Sequence, residues 1–374
     1  MVKKKILLNP GPATTTDSVK NALVVPDICP REEEFGDLMQ EIRNDLVKIA
    51  GGDKNYTAIL FAGSGTAAMD STISSVVPSN KKILILINGA YGVRFAEIAR
   101  TYNLEVVELK FEFGKRIELE QIEQILKNDD KIACIAAIHH ETTIGILNPI
   151  KEIGAIAKKY GKLFIVDTIS SFAGVYINIK EFNIDFMMST SNKCIQAMAG
   201  IAFVICKKDP LEKLKSIKPR NYYLDLYSQY ESLEKNNQTR FTPPVQIIYA
   251  LKQAIKEFFE EGAENRIKRY RENYLVLKEG LKELGFKFFM GPDVEESNIL
   301  TTIYYLDHPN FDFNILHDKL YERGFTIYPG KITDKDTFRI AVMGAINSQD
   351  IRNFLIVLKE VLINMKNLKE KDFE

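Results

Sequence analysis

The sequence predicts an α/β fold: a large domain built on a mostly parallel sheet flanked by helices, with a smaller α+β domain towards the C-terminus. Three observations predict it. From residue 57 onward, short β-branched runs alternate with amphipathic stretches, the pattern of a parallel sheet covered by helices. After about residue 265 the alternation gives way to helix, strand, helix, two short strands and a closing helix. The chain has 374 residues, more than one ordinary domain needs, and its 45% hydrophobic and 27% charged residues supply core for two.

Strands are expected at 57–61, 82–87, 105–109, 131–138, 163–166, 186–189 and 201–205, each a short apolar run ending in polar residues or glycine. Helices are expected between them at 65–75, 94–101, 118–126 and 150–160, and as one long segment over 245–284. Residues 221–244, rich in tyrosine and polar residues and closed by Pro243-Pro244, break the alternation and read as an irregular excursion of the kind that often carries function. Beyond them come a strand at 298–306, a helix at 313–323, strands near Thr326 and Phe338, and a helix at 348–365, with 366–374 as its charged, frayed end. The large domain is placed at 15–264, and the small domain at 1–14 together with 265–374.

Fifty basic and fifty acidic side chains cancel, so nothing in the net charge marks a nucleic-acid or membrane surface, and a small molecule is the expected partner. Cys29, Cys134, Cys194 and Cys206 have no metal-ligand or redox spacing and read as reduced thiols of a cytoplasmic protein. The basic start is followed by only three apolar residues before Asn9 and Pro10, too few for a secretion signal, and no run approaches the roughly 18 residues that span a bilayer.

Two residues at strand ends carry the chemistry. Asp167 closes the apolar run 163–166, and Lys193 follows the strand at 186–189. An amine and a carboxylate so placed suit pyridoxal 5′-phosphate (PLP), which needs one to hold its aldehyde as a Schiff base and the other to keep its ring nitrogen protonated. Burial also lets such a lysine lose its proton more readily. Gly63-Ser64-Gly65-Thr66, between a strand and a helix, would present N–H groups and hydroxyls to a phosphate. The same glycines, with Ala68, satisfy a dinucleotide fingerprint, but that reading also requires an acidic residue ending the next strand, where Ile87-Asn88-Gly89 stands.

Tyr91, bracketed by Gly89 and Gly92, either lies flat over a planar cofactor or packs on its own domain. His139 and His140, adjacent in a strand, point to opposite faces and make a shared metal site improbable, so no metal is expected. The Thr142 hydroxyl is better placed for the cofactor's phenolic oxygen. Arg240-Phe241-Thr242 either offers a hydroxyl or cation to a phosphate, from a neighbouring subunit, or turns the chain into the next helix. Arg339, inside an apolar strand, requires an anionic partner, either a substrate or an internal carboxylate.

These motifs, with Asn9-Pro10-Gly11-Pro12, Asn88-Gly89-Ala90-Tyr91-Gly92, His140-Glu141-Thr142-Thr143, Ser191-Asn192-Lys193-Cys194, Tyr328-Pro329-Gly330-Lys331 and Phe338-Arg339-Ile340, run over nearly the whole chain. The chain resembles the class V aminotransferases of the PLP fold-type I superfamily, and among them the members that move the amino group of 2-aminoethylphosphonate to pyruvate, giving phosphonoacetaldehyde and alanine, or the reverse. The resemblance implies that Lys193 holds the cofactor and moves the substrate proton, Asp167 pairs with the ring nitrogen, Tyr91 stacks and Thr142 meets the phenolic oxygen. It further implies that Ser64, Gly65 and Thr66 bind the phosphate with Thr242 from the other protomer of a homodimer, and that Arg339 receives the substrate anion. Ala197-Met198-Ala199-Gly200 departs from the family pattern, which has a proline before the glycine.

Two alternatives stand beside this reading. One is another class V transaminase, of the alanine- or serine-glyoxylate type, and the other a PLP- or nucleotide-binding protein without catalysis. A cysteine desulfurase would need a mobile cysteine late in the chain, and none follows Cys206.

Overall fold

The structure is a computed structural model that describes residues 5–291, 294–330, 332 and 335–366. The start of the chain, Lys331 and the charged tail beyond residue 366 lie outside the described residues.

The large sheet has seven strands: β1 (Tyr56–Ala62), β2 (Lys82–Ile87), β3 (Glu105–Lys110), β4 (Ile132–Ile138), β5 (Leu163–Asp167), β6 (Phe186–Thr190) and β7 (Ile201–Lys207), in the spatial order β1-β7-β6-β5-β4-β2-β3. All pair in parallel except β7, which runs antiparallel to both β1 and β6. Central strands are buried on both faces, which is why they read as continuous apolar runs rather than alternating ones. The parallel strands deliver their carboxyl ends, and hence Asp167 and the chain leading to Lys193, to one edge of the sheet.

The helices of ten or more residues are α1 (Glu33–Ile49), α2 (Gly65–Val76), α3 (Ala90–Thr101), α4 (Leu119–Asn128), α5 (Ile150–Lys159), α6 (Leu226–Asn236), α7 (Val245–Glu261), α8 (Ala263–Glu283), α9 (Phe313–Glu322) and α10 (Ser348–Lys366). Most expected elements are present, and three of the expected segments differ in form or extent. The long helix expected over 245–284 is two helices, because Gly262 adopts φ +82 and breaks the ladder between α7 and α8. The excursion at 221–244 contains α6: the Asp225 carboxylate caps the Ser228 amide at 2.9 Å, and Leu226, Tyr230 and Leu233 bury one face. Helix α3 starts at Ala90, four residues before the expected position.

Helix α1 is absent from the sequence expectation. It buries Phe35, Met39, Ile42 and Leu46 at helical spacing, but Arg43 and Asp45 are buried with them and blur the stripe. Arg43 is accommodated by bonds to the Ala58 carbonyl and the Thr57 hydroxyl, each at 2.8 Å, and by the Glu234 carboxylate.

One hydrophobic core runs from Val19 to Phe258 around the large sheet. A second gathers Ile6 and Leu8 with residues from Tyr274 to Leu362 around an antiparallel sheet of β8 (Leu300–Tyr304), β9 (Tyr328–Pro329) and β10 (Thr337–Ala341). Strand β10 is central there, with Arg339 opposite Thr302 on one side and Tyr328 on the other. The N-terminal segment joins this unit, since Ile6–Leu7 pairs in parallel with Phe325–Thr326. Among the described residues no helix is long and apolar enough to cross a membrane.

The packing of α5 onto the sheet depends on Gly154, where a Cβ would overlap the Phe182 carbonyl oxygen. Gly154→Ala is therefore expected to destabilise the protein by roughly 1–3 kcal/mol, although alanine favours helices. A urea unfolding midpoint no lower than wild type would contradict this packing.

Candidate active site

The site forms where the carboxyl edge of the large sheet meets β10. Asp167, the last residue of β5, is 4% exposed and accepts a bond from the Ile169 amide at 2.7 Å. Burial pushes its carboxyl up to about 7; the nearby Glu141 adds to the rise, while the Ile169 bond, Lys193 and Arg94 oppose it. Lys193 sits in the turn after β6. Burial holds its ammonium below the ordinary lysine range and Arg339 acts in the same direction, whereas Tyr91 and Asp167 oppose.

The N-terminal segment crosses this lysine. Lys193 Nζ donates to the Pro10 carbonyl, and the Ala13 amide donates to the Asn192 carbonyl at 2.9 Å. Gly11, at φ +118, passes so close that a Cβ would lie 2.5–2.6 Å from the last carbons and the nitrogen of Lys193. The reason for a glycine here is therefore both conformation and space.

Ser64 is the N-cap of α2 yet makes no side-chain capping bond, and Gly65 presses against Ile169. This uncapped helix start suits an anion. Arg94 Nη1 donates to Thr66 Oγ1 at 3.4 Å, and its guanidinium lies 4.8 Å from the centre of the Tyr91 ring. Tyr91 also meets Arg339.

Arg339 is 2% exposed, donating from Nε to the Pro329 carbonyl at 3.1 Å and from Nη1 to the Thr142 carbonyl at 3.0 Å. Among the described residues no carboxylate lies within ion-pair distance of it, so of the two partners expected from the sequence the internal carboxylate is not found there. Burial holds its pKa below the ordinary arginine range. Thr142 is buried on the loop after β4. The structure thus groups Asp167, Lys193, Tyr91, Thr142 and Arg339, with Ser64, Gly65 and Thr66 at the start of the neighbouring α2. Thr242 is exposed, and none of the contacts described above reaches it.

His139 and His140 pair separately with Ser171 at 2.9 Å and Ser170 at 3.0 Å, and burial pushes them down to about 4 and about 3, so both are neutral. Ser170 spends its hydroxyl proton on the His140 carbonyl at 3.1 Å, so it accepts from His140 Nδ1–H. His140 Nε2 is then a buried acceptor with no partner. Sequence reasoning gave no role to Glu141, Arg94 or the Pro10 carbonyl. Only adjacency in the motifs signalled them, because their partners are dozens of residues away. Cys194, next to the lysine, has its thiol pushed up to about 12 by burial and bonds the Ser170 carbonyl at 3.2 Å.

The residues fit PLP. An uncapped helix start can take a phosphate, a buried carboxyl can meet a protonated ring nitrogen, a deprotonation-prone lysine lies beside it, and an orphaned buried acceptor remains at His140.

Residues 18–339 match the aminotransferase class-V family. The chain is 40% identical over 363 residues to a 2-aminoethylphosphonate–pyruvate transaminase of Lysinibacillus sphaericus, covering 96% of this chain and 98% of that one. It is also 40% identical over 360 residues to a bifunctional phosphonoacetaldehyde hydrolase/aminoethylphosphonate transaminase of Clostridioides difficile, of whose length it spans 56%. The crystal structure of ureidoglycine–glyoxylate aminotransferase from Bacillus subtilis superposes with a TM-score of 0.91 at 24% identity, covering 100% of this chain and 97% of that one, which establishes the fold. The chain belongs to the class-V aminotransferase family. It is a PLP-dependent aminotransferase of fold type I.

Asp167 gives the cofactor-free protein a distinctive pH dependence. Folded Asp167 keeps its proton up to about pH 7, whereas the unfolded chain releases it near the ordinary 3.8. Between these values the native state binds the extra proton, so this contribution to stability is present below 3.8 and is lost as pH rises to about 7. Asp167→Asn, measured as apoprotein by urea unfolding from pH 4 to 8, should lack that loss, a difference on the order of a few kcal/mol at neutral pH. Parallel stability curves for the two proteins would contradict it.

Proposed function

We propose that this enzyme transfers the amino group of 2-aminoethylphosphonate to pyruvate, giving phosphonoacetaldehyde and alanine. The observation that carries the substrate is the 40% identity, across 98% of its length, to a transaminase named for that reaction. Arg339 supplies the matching chemistry: a buried guanidinium bonded to two carbonyls can still receive a phosphonate or carboxylate, each charge-assisted bond contributing about 1.5–3 kcal/mol.

Bound PLP supplies an aldehyde that takes up the amino group and a pyridinium ring that draws electrons from the substrate's amino-bearing carbon. Lys193 would hold the cofactor and give it up to the substrate amine. Its amine, kept neutral more readily by burial, would then carry a proton from the substrate's amino-bearing carbon to the cofactor. Asp167 would keep the ring nitrogen protonated, and a carboxylate paired there would be relieved of the cost of being buried alone. Tyr91 would stack on the ring, the Thr142 hydroxyl would meet its phenolic oxygen, and Ser64, Gly65 and Thr66 would hold the phosphate at the start of α2. Arg339 orients the substrate so that its carbon faces Lys193.

The working unit is a homodimer in which Thr242 of one protomer completes the phosphate site of its partner. Exposed Tyr222 and Tyr223, grouped with Phe241 and Arg240 beside Thr242, support a second copy there. The large domain spans 15–264 and the small domain 1–14 with 265–374, a division supported by the two hydrophobic cores. Four free cysteines suit the cytoplasm.

The reaction is testable by absorption alone. 2-Aminoethylphosphonate without a keto acid should discharge the band of the lysine-bound cofactor and raise that of the pyridoxamine form, and pyruvate should reverse the change. Discharge by alanine or serine but not by the phosphonate would overturn the proposed substrate while leaving the family intact. Arg339→Ala should lower kcat/KM for the phosphonate by about 10- to 100-fold, the loss expected for one charge-assisted bond.

A further inference from the structure

Glu141 is fully buried and has no role in the reaction described above. Its surroundings consist of donors. Glu141 Oε1 accepts from the Thr143 amide at 3.1 Å and the Thr143 hydroxyl at 2.6 Å, and Oε2 accepts from the Tyr91 amide at 3.2 Å and the Gly92 amide at 3.3 Å. The Ala90 amide reaches the same group one step removed, through Thr143 Oγ1 at 3.0 Å.

Helix α3 has no cap of its own, since its N-cap is Gly89. All three amides of its first turn therefore end on the loop after β4. A carboxylate at a helix N-terminus also meets the positive end of the helix dipole, an effect that grows where water is excluded. The approach is close enough that a Cβ on Gly89 would overlap Cγ and Cδ of Glu141, which accounts for glycine in the Asn88-Gly89-Ala90-Tyr91 motif.

We propose that Glu141 is a positioning residue for the cofactor ring: its carboxylate clamps the loop carrying Thr142 to the helical turn carrying Tyr91, so that the two contacts on the ring are held in fixed relation. The inference rests on the reading of Tyr91 as the ring's stacking partner. The clamp requires a carboxylate specifically. Glutamine must turn its NH2 either towards the Tyr91 and Gly92 amides or towards the Thr143 amide, so the isosteric variant weakens the clamp while preserving size. Burial pushes the Glu141 pKa up, and the bonds from Thr143, Gly92 and Tyr91 oppose that rise by favouring the ionised form.

The test is a double-mutant cycle on PLP binding, read by equilibrium titration of the absorption band and by its wavelength. Glu141→Gln in the wild-type background is expected to weaken PLP binding about tenfold and to shift the band, because Tyr91 no longer lies in a fixed plane. In a Tyr91→Ala background the same substitution should change affinity less than twofold. Additive effects, or unchanged affinity and spectrum in Glu141→Gln, would overturn the clamp. Unchanged affinity in Tyr91→Ala alone would overturn the stacking reading and the clamp with it, whereas failure of the substrate assignment would leave every PLP measurement here unaffected. Should Glu141→Gln fail to fold, Thr143→Ala removes one arm of the clamp and must show the same dependence on Tyr91, with a smaller effect.

Discussion

The site depends on removing a lysine and an aspartate from water together. A carboxyl at the end of a central strand, covered on both faces, is pushed towards neutrality, and a lysine beside it is pushed the same way. Neither arrangement favours folding on its own. A bound cofactor would bring the compensating groups: a protonated ring nitrogen for the aspartate and an aldehyde for the lysine. The parallel sheet makes this possible, because its strands carry hydrogen-bonded backbone to the edge of the core and release the chain only there.

The rest of the architecture brings charge and shape to that edge from far along the chain. Arg339 comes from the three-stranded sheet and is fixed by carbonyls of β9 and of the loop after β4, so one guanidinium ties that sheet to the edge of the large one. The N-terminal segment joins the small sheet through Ile6–Leu7 and then passes over Lys193, with Gly11 giving the lysine room. The same economy operates at α3, whose first turn is closed by residues about fifty positions away rather than by a local cap.

Much of the fold was legible. The seven large-sheet strands follow from apolar runs, and the helices between them from amphipathic spacing. Legibility failed where a buried charge or a cap contradicted the pattern. Helix α1 hides behind Arg43 and Asp45, which are tolerated inside because Ala58, Thr57 and Lys252 meet them. Helix α6 hides in a polar stretch, because its start is defined by the Asp225 cap and only a narrow face is apolar. The break at Gly262 was visible as a glycine, but its conformation was not.

The sequence by itself determined the fold class, the family and the cofactor, because apolar periodicity and strand-end motifs are local and survive in linear order. Only the tertiary structure decided which way ambiguous groups turn. It showed that Arg339 is held by carbonyls, that the two histidines are neutral and bonded to different serines, and that Glu141 closes a helix on another strand's loop. The reason is physical: burial sets protonation and hydrogen bonding sets orientation, and both depend on neighbours that chain order does not reveal.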